Sequence, residues 1–410
     1  MDSPERRSLG SGVVATRLAH LWLPFTQMRE YERHPHTFVR GYGTMLEDVQ
    51  GRRVYDAVSS IWTTVHGHCH PRIVEAIARQ ASMLDHATLL GAGNPVAEEL
   101  AERLCAISGM QRAFFAGDGA SAIEASLKMA LQYWQNAGEP QRNRFVRLSR
   151  AYHGDTIGAM SVSDIELFKK RFGSVTFETR KYEESALLEP DVAAVIVEPL
   201  VQASAGMRLV PGAEYERLTT TDALVICDEI ATGFGRTGTL FAFEQTPLRP
   251  DIVCVGKGLT GGTLALSAAL VSDKVYDAFL GGSGERKQFF HGHSYAGNPI
   301  ACAAGLASLS LFEEEATLVR AAGIAAAARR RLEALRRHPL VREVRQTGTM
   351  IGIELHTDGW PIAHTLYDAG HFTRPIGNVV QFVPPLCSTD EEVDAFFDSL
   401  ISVILSLSQG

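Results

Sequence analysis

Three residues able to do covalent or acid–base chemistry stand where apolar runs stop. Val192 to Val197 ends at Glu198, Ala223 to Cys227 ends at Asp228, and Ile252 to Val255 is followed, one glycine later, by Lys257. A short apolar run bounded by turn signals is the pattern of a fully buried parallel strand. Ligands of open α/β sheets bind beyond the carboxyl ends of such strands, so one crevice would hold all three groups. A lysine amine and a carboxylate in one crevice match what pyridoxal phosphate requires. The amine holds the cofactor covalently, and the carboxylate keeps the pyridine nitrogen protonated so that the ring accepts electrons. Taken singly, Lys257 reads as a surface lysine in a Gly-rich loop and Asp228 as a helix cap, since most Lys and Asp are solvated. Their joint placement favours the cofactor.

The elements around these residues can be read in outline. Gly117, Gly119 and Ala120 precede a helix whose apolar face is Ile123, Leu127, Leu131 and Trp134, with Ser121 and Glu124 as a capping box. Such a turn is either purely structural or a phosphate cradle, because unpaired N–H groups and the positive helix end attract anions. Thr44 to Asp48 and Arg53 to Ala57 flank a Gly51 turn and read as a hairpin. After them His66, His68 and His70 alternate, which on an extended segment would put three imidazoles on one face. Gly67 and Pro71 break that pattern, and metal binding is the weaker reading. Further on, a helix over Glu314 to Arg337, strands near Val344 to Leu355 and Val379 to Val383, and a helix opened by a Ser388/Glu391 capping box are expected. That last helix carries Val393, Phe396, Phe397, Leu400 and Ile404 on one face.

Bulk properties exclude several classes. The chain has 410 residues, 45% hydrophobic and 21% charged, ordinary values for a soluble globular enzyme with two domains. A net charge of -8 gives no general attraction to nucleic acid or anionic membrane. The six cysteines form no CxxC pair, which points to reduced thiols in a cytoplasm. The first nineteen residues read as a loose tail without a signal-peptide core, and no run approaches the length of a membrane span.

Longer strings carry a family resemblance. CDEIATGFGRTG (Cys227 to Gly238) and PDIVCVGKGLTGG (Pro250 to Gly262) resemble the signature of class III, fold-type I, pyridoxal-phosphate aminotransferases. HLWLPFTQM, WTTVHGH, AYHGDTIGAMSV, HGHSYAGNP and TRPIGNVVQFVPP narrow the likeness to the diaminononanoate-forming aminotransferases of biotin synthesis. The resemblance runs from about His20 to the C-terminus and implies an α/β fold. A large domain with a mainly parallel seven-stranded sheet flanked by helices would be joined by a smaller α+β domain built from the chain ends. The expected division is a tail over 1–19, an N-terminal part of the small domain with a pocket segment over 20–70, the large cofactor-binding domain over 71–304, and the C-terminal small domain over 305–410. Shortened connections are expected near 177–190 and 357–366.

The same resemblance assigns roles. Lys257 is the catalytic residue, and Gly119, Ala120, Tyr152, Asp228, His293 and Ser294 join it in holding the cofactor. Phe25, Trp62, Tyr152, Gly292 and Arg374 line the substrate pocket, with Arg374 on the substrate carboxylate. In supporting places, Asp155 helps position Asp228 or neighbouring waters, and Glu198 pairs with Arg236. The loop of Gly292 to Ser294 reaches the neighbouring subunit's cofactor, which implies a homodimer with shared active sites. The expected reaction turns 8-amino-7-oxononanoate into 7,8-diaminononanoate. Phe25, Ile61 and Gln381 favour lysine over S-adenosylmethionine as amino donor. Two alternatives remain: a class III enzyme acting on another ω-amino acid or diamine, which would not need Arg374, and a non-catalytic, aminotransferase-like regulatory protein. Against the latter stand the intact Lys257 and Asp228 and the lack of a basic DNA-binding segment.

Overall fold

The computed structural model describes residues 20–182 and 189–407. The tail expected over 1–19 and part of the connection near 177–190 lie outside the described residues. At the centre is a seven-stranded sheet. Its strands are β1 (Arg112–Ala116), β2 (Arg144–Arg147), β3 (Arg180–Lys181), β4 (Val192–Val197), β5 (Leu224–Asp228), β6 (Ile252–Val255) and β7 (Ser267–Val271). In space they run β1-β7-β6-β5-β4-β2-β3. Only β7 is reversed, antiparallel to both of its neighbours. The remaining pairs are parallel.

The apolar runs of β4, β5 and β6 have no polar side because both faces of the sheet are covered. Every residue of these three strands is buried. Val192, Val195 and Val197 pack into one core with Val225, Val253 and Leu270. On the opposite face Ala193, Ala194 and Ile196 pack under the helix Gly119–Asn136, against Ile123, Leu127 and Trp134. The helix is therefore clamped on the sheet with its N-terminus at the end where β5 and β6 stop.

A second, smaller core is built from later residues. The strands Val341–Thr347, Met350–Leu355 and Val379–Phe382 form an antiparallel sheet. Onto it pack Leu332 from the helix Thr317–Arg336 and Phe396, Phe397 and Leu400 from the helix Asp390–Leu407. The early hairpin Met45–Asp48 and Arg53–Asp56 forms as expected, and His371–Phe372 lies parallel to its second strand.

Several local expectations shift. The helix expected over Glu314 to Arg337 forms as Thr317–Arg336, and a helix that was not expected, Pro299–Glu314, precedes it, the two separated where Ala316 adopts φ 49°. Strand structure expected near Val344 to Leu355 is present as a hairpin, Val341–Thr347 and Met350–Leu355, folded at Gly348, whose φ is 55°. The last capping box is one residue later than expected. Thr389 N donates to Glu392 Oε2 at 2.9 Å and Glu392 N to Thr389 Oγ1 at 3.2 Å. Ser388 is occupied elsewhere, donating to Pro385 O. Nor do Ser121 and Glu124 form a box: Asp118 caps the helix by accepting from Ser121 N, and Glu124 accepts from Gly158 N and Ala159 N. No helix among the described residues is long and apolar enough to cross a membrane.

Candidate active site

Beyond the ends of β4, β5 and β6 opens a cavity of about 490 Å³, and Glu198, Asp228 and Lys257 all line it. Lys257 opens a 3₁₀ turn directly after β6, at φ 43°. Burial lowers the pKa of its amine, while the charges of Asp228 and Glu198 oppose that shift. Its Nζ stands 4.9 Å from the centroid of the Trp62 ring, which forms a cavity wall. The lysine is thus held in an apolar, partly anionic setting in which its neutral, nucleophilic form is more accessible than in water.

Asp228 closes β5. Its Oδ1 accepts from Ile230 N at 3.1 Å, and its Oδ2 meets His153 Nδ1 at 2.7 Å. The His153 side chain is fully buried. Because a carboxylate only accepts, the imidazole proton sits on Nδ1. Asp155, expected to help position Asp228 or neighbouring waters, accepts from the Tyr152 hydroxyl at 2.7 Å and does not contact Asp228 directly. The residue behind Asp228 is His153, in the same string. Its place between the aromatic Tyr152 and the acid Asp155 was the available signal, but which of the three turns inward is decided by packing.

The expected pair of Glu198 with Arg236 is absent. Arg236 is only 1% exposed and donates to two carbonyls, Pro384 O at 2.5 Å and Thr64 O at 2.8 Å. It is fixed by loops from both chain ends, and burial lowers its pKa to about 10. Glu198 Oε2 accepts from Tyr152 N at 3.0 Å, and burial together with the Asp228 charge raises its pKa well above the usual carboxylate range.

At the cavity's other side Gly119 and Ala120 begin the helix Gly119–Asn136. The first N–H groups of a helix have no partner within it and point outward with the positive end of its dipole. A Cβ on Gly119 would lie 2.9 Å from the Ile230 side chain, so only glycine lets that turn close against the loop after β5. A buried lysine, a carboxylate backed by an imidazole and a helix N-terminus therefore surround one cavity. Those are the amine, the ring-nitrogen partner and the phosphate site that pyridoxal phosphate needs.

The substrate side is less compact. Trp62 is buried, and its Nε1 donates to Gln381 Oε1 at 2.9 Å. Gln381 Nε2 in turn donates to Arg374 O. Phe25 is 55% exposed, with its ring 5.0 Å from Phe168, and Arg374 Nη2 reaches Phe25 O at 3.4 Å. Gly292 and Ser294 are exposed, whereas the His293 ring lies against Gly117.

Trp62 ends a turn that the sequence does not announce. Ser59, Ser60, Ile61 and Trp62 have φ of 50°, 46°, 67° and 66°. A left-handed backbone costs roughly 1–2 kcal/mol for each such L-residue, and β-branched Ile61 is least suited to it. The rings of His66 and His70 lie 6.3 Å apart, but each of the three histidines that follow has its own partner. His66 Nε2 meets Ser308 Oγ at 3.2 Å, His68 Nε2 meets Asp56 Oδ2 at 2.9 Å, and His70 Nε2 meets Glu315 Oε1 at 3.0 Å.

A mainly parallel sheet with one reversed strand, and a lysine and an aspartate lining one cavity past the ends of β6 and β5, is the arrangement of a fold-type I pyridoxal-phosphate enzyme. The profile of the family "Aminotransferase class-III" matches residues 26–404. The chain belongs to that family, and its cofactor is pyridoxal phosphate. It is 39% identical to the adenosylmethionine-8-amino-7-oxononanoate aminotransferase of Aquifex aeolicus, covering 95% of this chain and 96% of that protein. It is 34% identical to an omega-aminotransferase of Caulobacter vibrioides over 95% of this chain and 98% of the relative. The crystal structure of the adenosylmethionine-8-amino-7-oxononanoate aminotransferase of Methanocaldococcus jannaschii superposes with a TM-score of 0.92 at 37% identity, covering 96% of this chain and 99% of that one.

Proposed function

We propose that this aminotransferase converts 8-amino-7-oxononanoate to 7,8-diaminononanoate, the step of biotin synthesis carried out by diaminononanoate synthases, and does so as a homodimer. The observation that carries the reading is the near-full-length similarity to the Aquifex adenosylmethionine-8-amino-7-oxononanoate aminotransferase. The lysine preference expected from Phe25, Ile61 and Gln381 has no support among such relatives, whose names specify adenosylmethionine. S-adenosylmethionine is therefore the donor we propose.

When bound, pyridoxal phosphate supplies an aldehyde for amine exchange and a ring that accepts the electron pair of a broken C–H bond. Lys257 Nζ takes the proton from the amine-bearing carbon of the donor and gives one back in the second half-cycle. Asp228, oriented by His153 Nδ1–H, would be the carboxylate partner of the ring nitrogen. The Gly119 and Ala120 N–H groups would hold the phosphate. Trp62 excludes water from one side of Lys257, and Arg374 binds the far carboxylate of the ketone substrate.

Mixing the yellow enzyme separately with S-adenosylmethionine and with lysine, without ketone, tests the donor. Loss of visible absorbance with S-adenosylmethionine alone, and diaminononanoate on adding the ketone, is the expected result; bleaching by lysine alone would overturn the donor. Arg374→Ala should raise KM for the ketone roughly 10- to 100-fold, as loss of a charged hydrogen bond does. A variant with unchanged KM would favour the reading as an aminotransferase for another ω-amino acid, the activity of the Caulobacter relative.

A further inference from the structure

The left-handed turn Ser59–Trp62 is too strained to be kept by local preference, so other contacts must hold it. They converge on Asp56, the last residue of the hairpin strand Arg53–Asp56 and fully buried. Asp56 Oδ1 accepts from Val58 N at 3.3 Å and from Ser60 N at 3.1 Å. Asp56 Oδ2 accepts from Ser60 Oγ at 3.0 Å and meets His68 Nε2 at 2.9 Å. One carboxylate thus ties the entrance of the turn to the segment beyond it. From the other side, Ser59 Oγ donates to Val383 O at 2.7 Å. The glycine loop after Lys257 packs beneath, where a Cβ on Gly262 would lie 2.6 Å from the Thr63 carbonyl carbon.

We propose that Asp56, backed by His68, is a positioning residue for the active site: it holds the turn that presents the Trp62 indole to Lys257 Nζ and to Gln381. Asp56 touches neither the cavity nor Lys257 and acts only through Trp62. The turn places the indole on the cavity wall, while Ser60 and Ile61 remain at the surface. The consequence for substrate rests on the reading above, in which Trp62 walls the pocket. The placement of the indole does not.

The test compares Asp56→Ala, Asp56→Asn and Trp62→Phe holoenzymes by near-UV circular dichroism and by steady-state kinetics. The difference between wild type and Trp62→Phe isolates the Trp62 signal. Asp56→Ala should lose that signal and lower kcat/KM roughly 10²-fold, the effect of misplacing a group by about 1 Å, mainly through KM. Asparagine retains an acceptor for both N–H groups, so Asp56→Asn should recover most of both. Should Asp56→Ala fail to fold, Asp56→Asn with Ser60→Ala and His68→Ala added removes both ties made by the second carboxylate oxygen and should lose the signal in its place. A Trp62 signal that persists in Asp56→Ala, or in the triple variant, overturns the proposal. If the signal disappears while Trp62→Phe itself leaves KM unchanged, the positioning role stands and the substrate-wall reading falls.

Discussion

Lys257 and Asp228 were legible in the sequence because each follows an uninterrupted apolar run, and a buried strand leaves its next residue at the rim of a sheet. What those residues touch was not legible. Glu198 and Arg236 are near in sequence pattern, yet Arg236 points to the carbonyls of Thr64 and Pro384, contributed by segments at opposite ends of the chain. Replacing Lys257 with alanine should lower kcat by about 10⁴-fold or more, the upper range for a positioned acid–base group. Single-turnover measurements with the loaded enzyme would show it. His153→Ala leaves Asp228 without its buried partner and should cost about 10- to 100-fold in kcat, as loss of an orienting neighbour commonly does. An unchanged rate would mean that the Ile230 N–H suffices to orient the carboxylate.

At the level of elements, strands were read more accurately than helices and their ends. The helix Pro299–Glu314 was missed because Ala, Cys, Leu and Ile occupy nearly all its sides, leaving no amphipathic period to detect. The left-handed turn at Ser59–Trp62 was invisible because no glycine marks it. Its neighbour His66 binds the loop to the helix Pro299–Glu314 through Ser308. Burial, with the nearby His70, lowers its pKa from 6.5 to about 4. The unfolded chain takes up that proton first, so the contribution of neutral His66 is complete above about pH 6.5 and is lost as pH falls to about 4. The full loss is on the order of 3 kcal/mol. Thermal unfolding followed from pH 7.5 to 4.5 should show this decline, with a smaller slope in His66→Gln.

For the whole molecule, composition and family strings were enough to expect an α/β enzyme, and the seven-stranded sheet with its separate antiparallel companion agrees with that expectation. The subunit arrangement is a proposal with its own test. Gly292, Ser294, Phe290 and Tyr295 form an exposed, partly apolar stretch beside the cavity-lining helix. Sedimentation should give twice the chain mass. Charged replacement of Phe290, which is 59% exposed, should shift the protein toward monomer and lower activity in parallel. A fully active monomer would dismiss the shared site.

The reversed strand β7 has a mechanical consequence. Had β6 been followed by a helical crossover to another parallel strand, the residue after it would ride on a long connection free to flex. Because β7 returns alongside β6 after a short connection, pairing Val255 with Ala268, the segment bearing Lys257 is anchored at both ends to adjacent strands of the same sheet. The lysine therefore has a fixed pivot and one moving part. Its reach at every turnover is set by rotation about its own four methylene bonds, so the stroke is the same in each cycle and needs no loop to reopen.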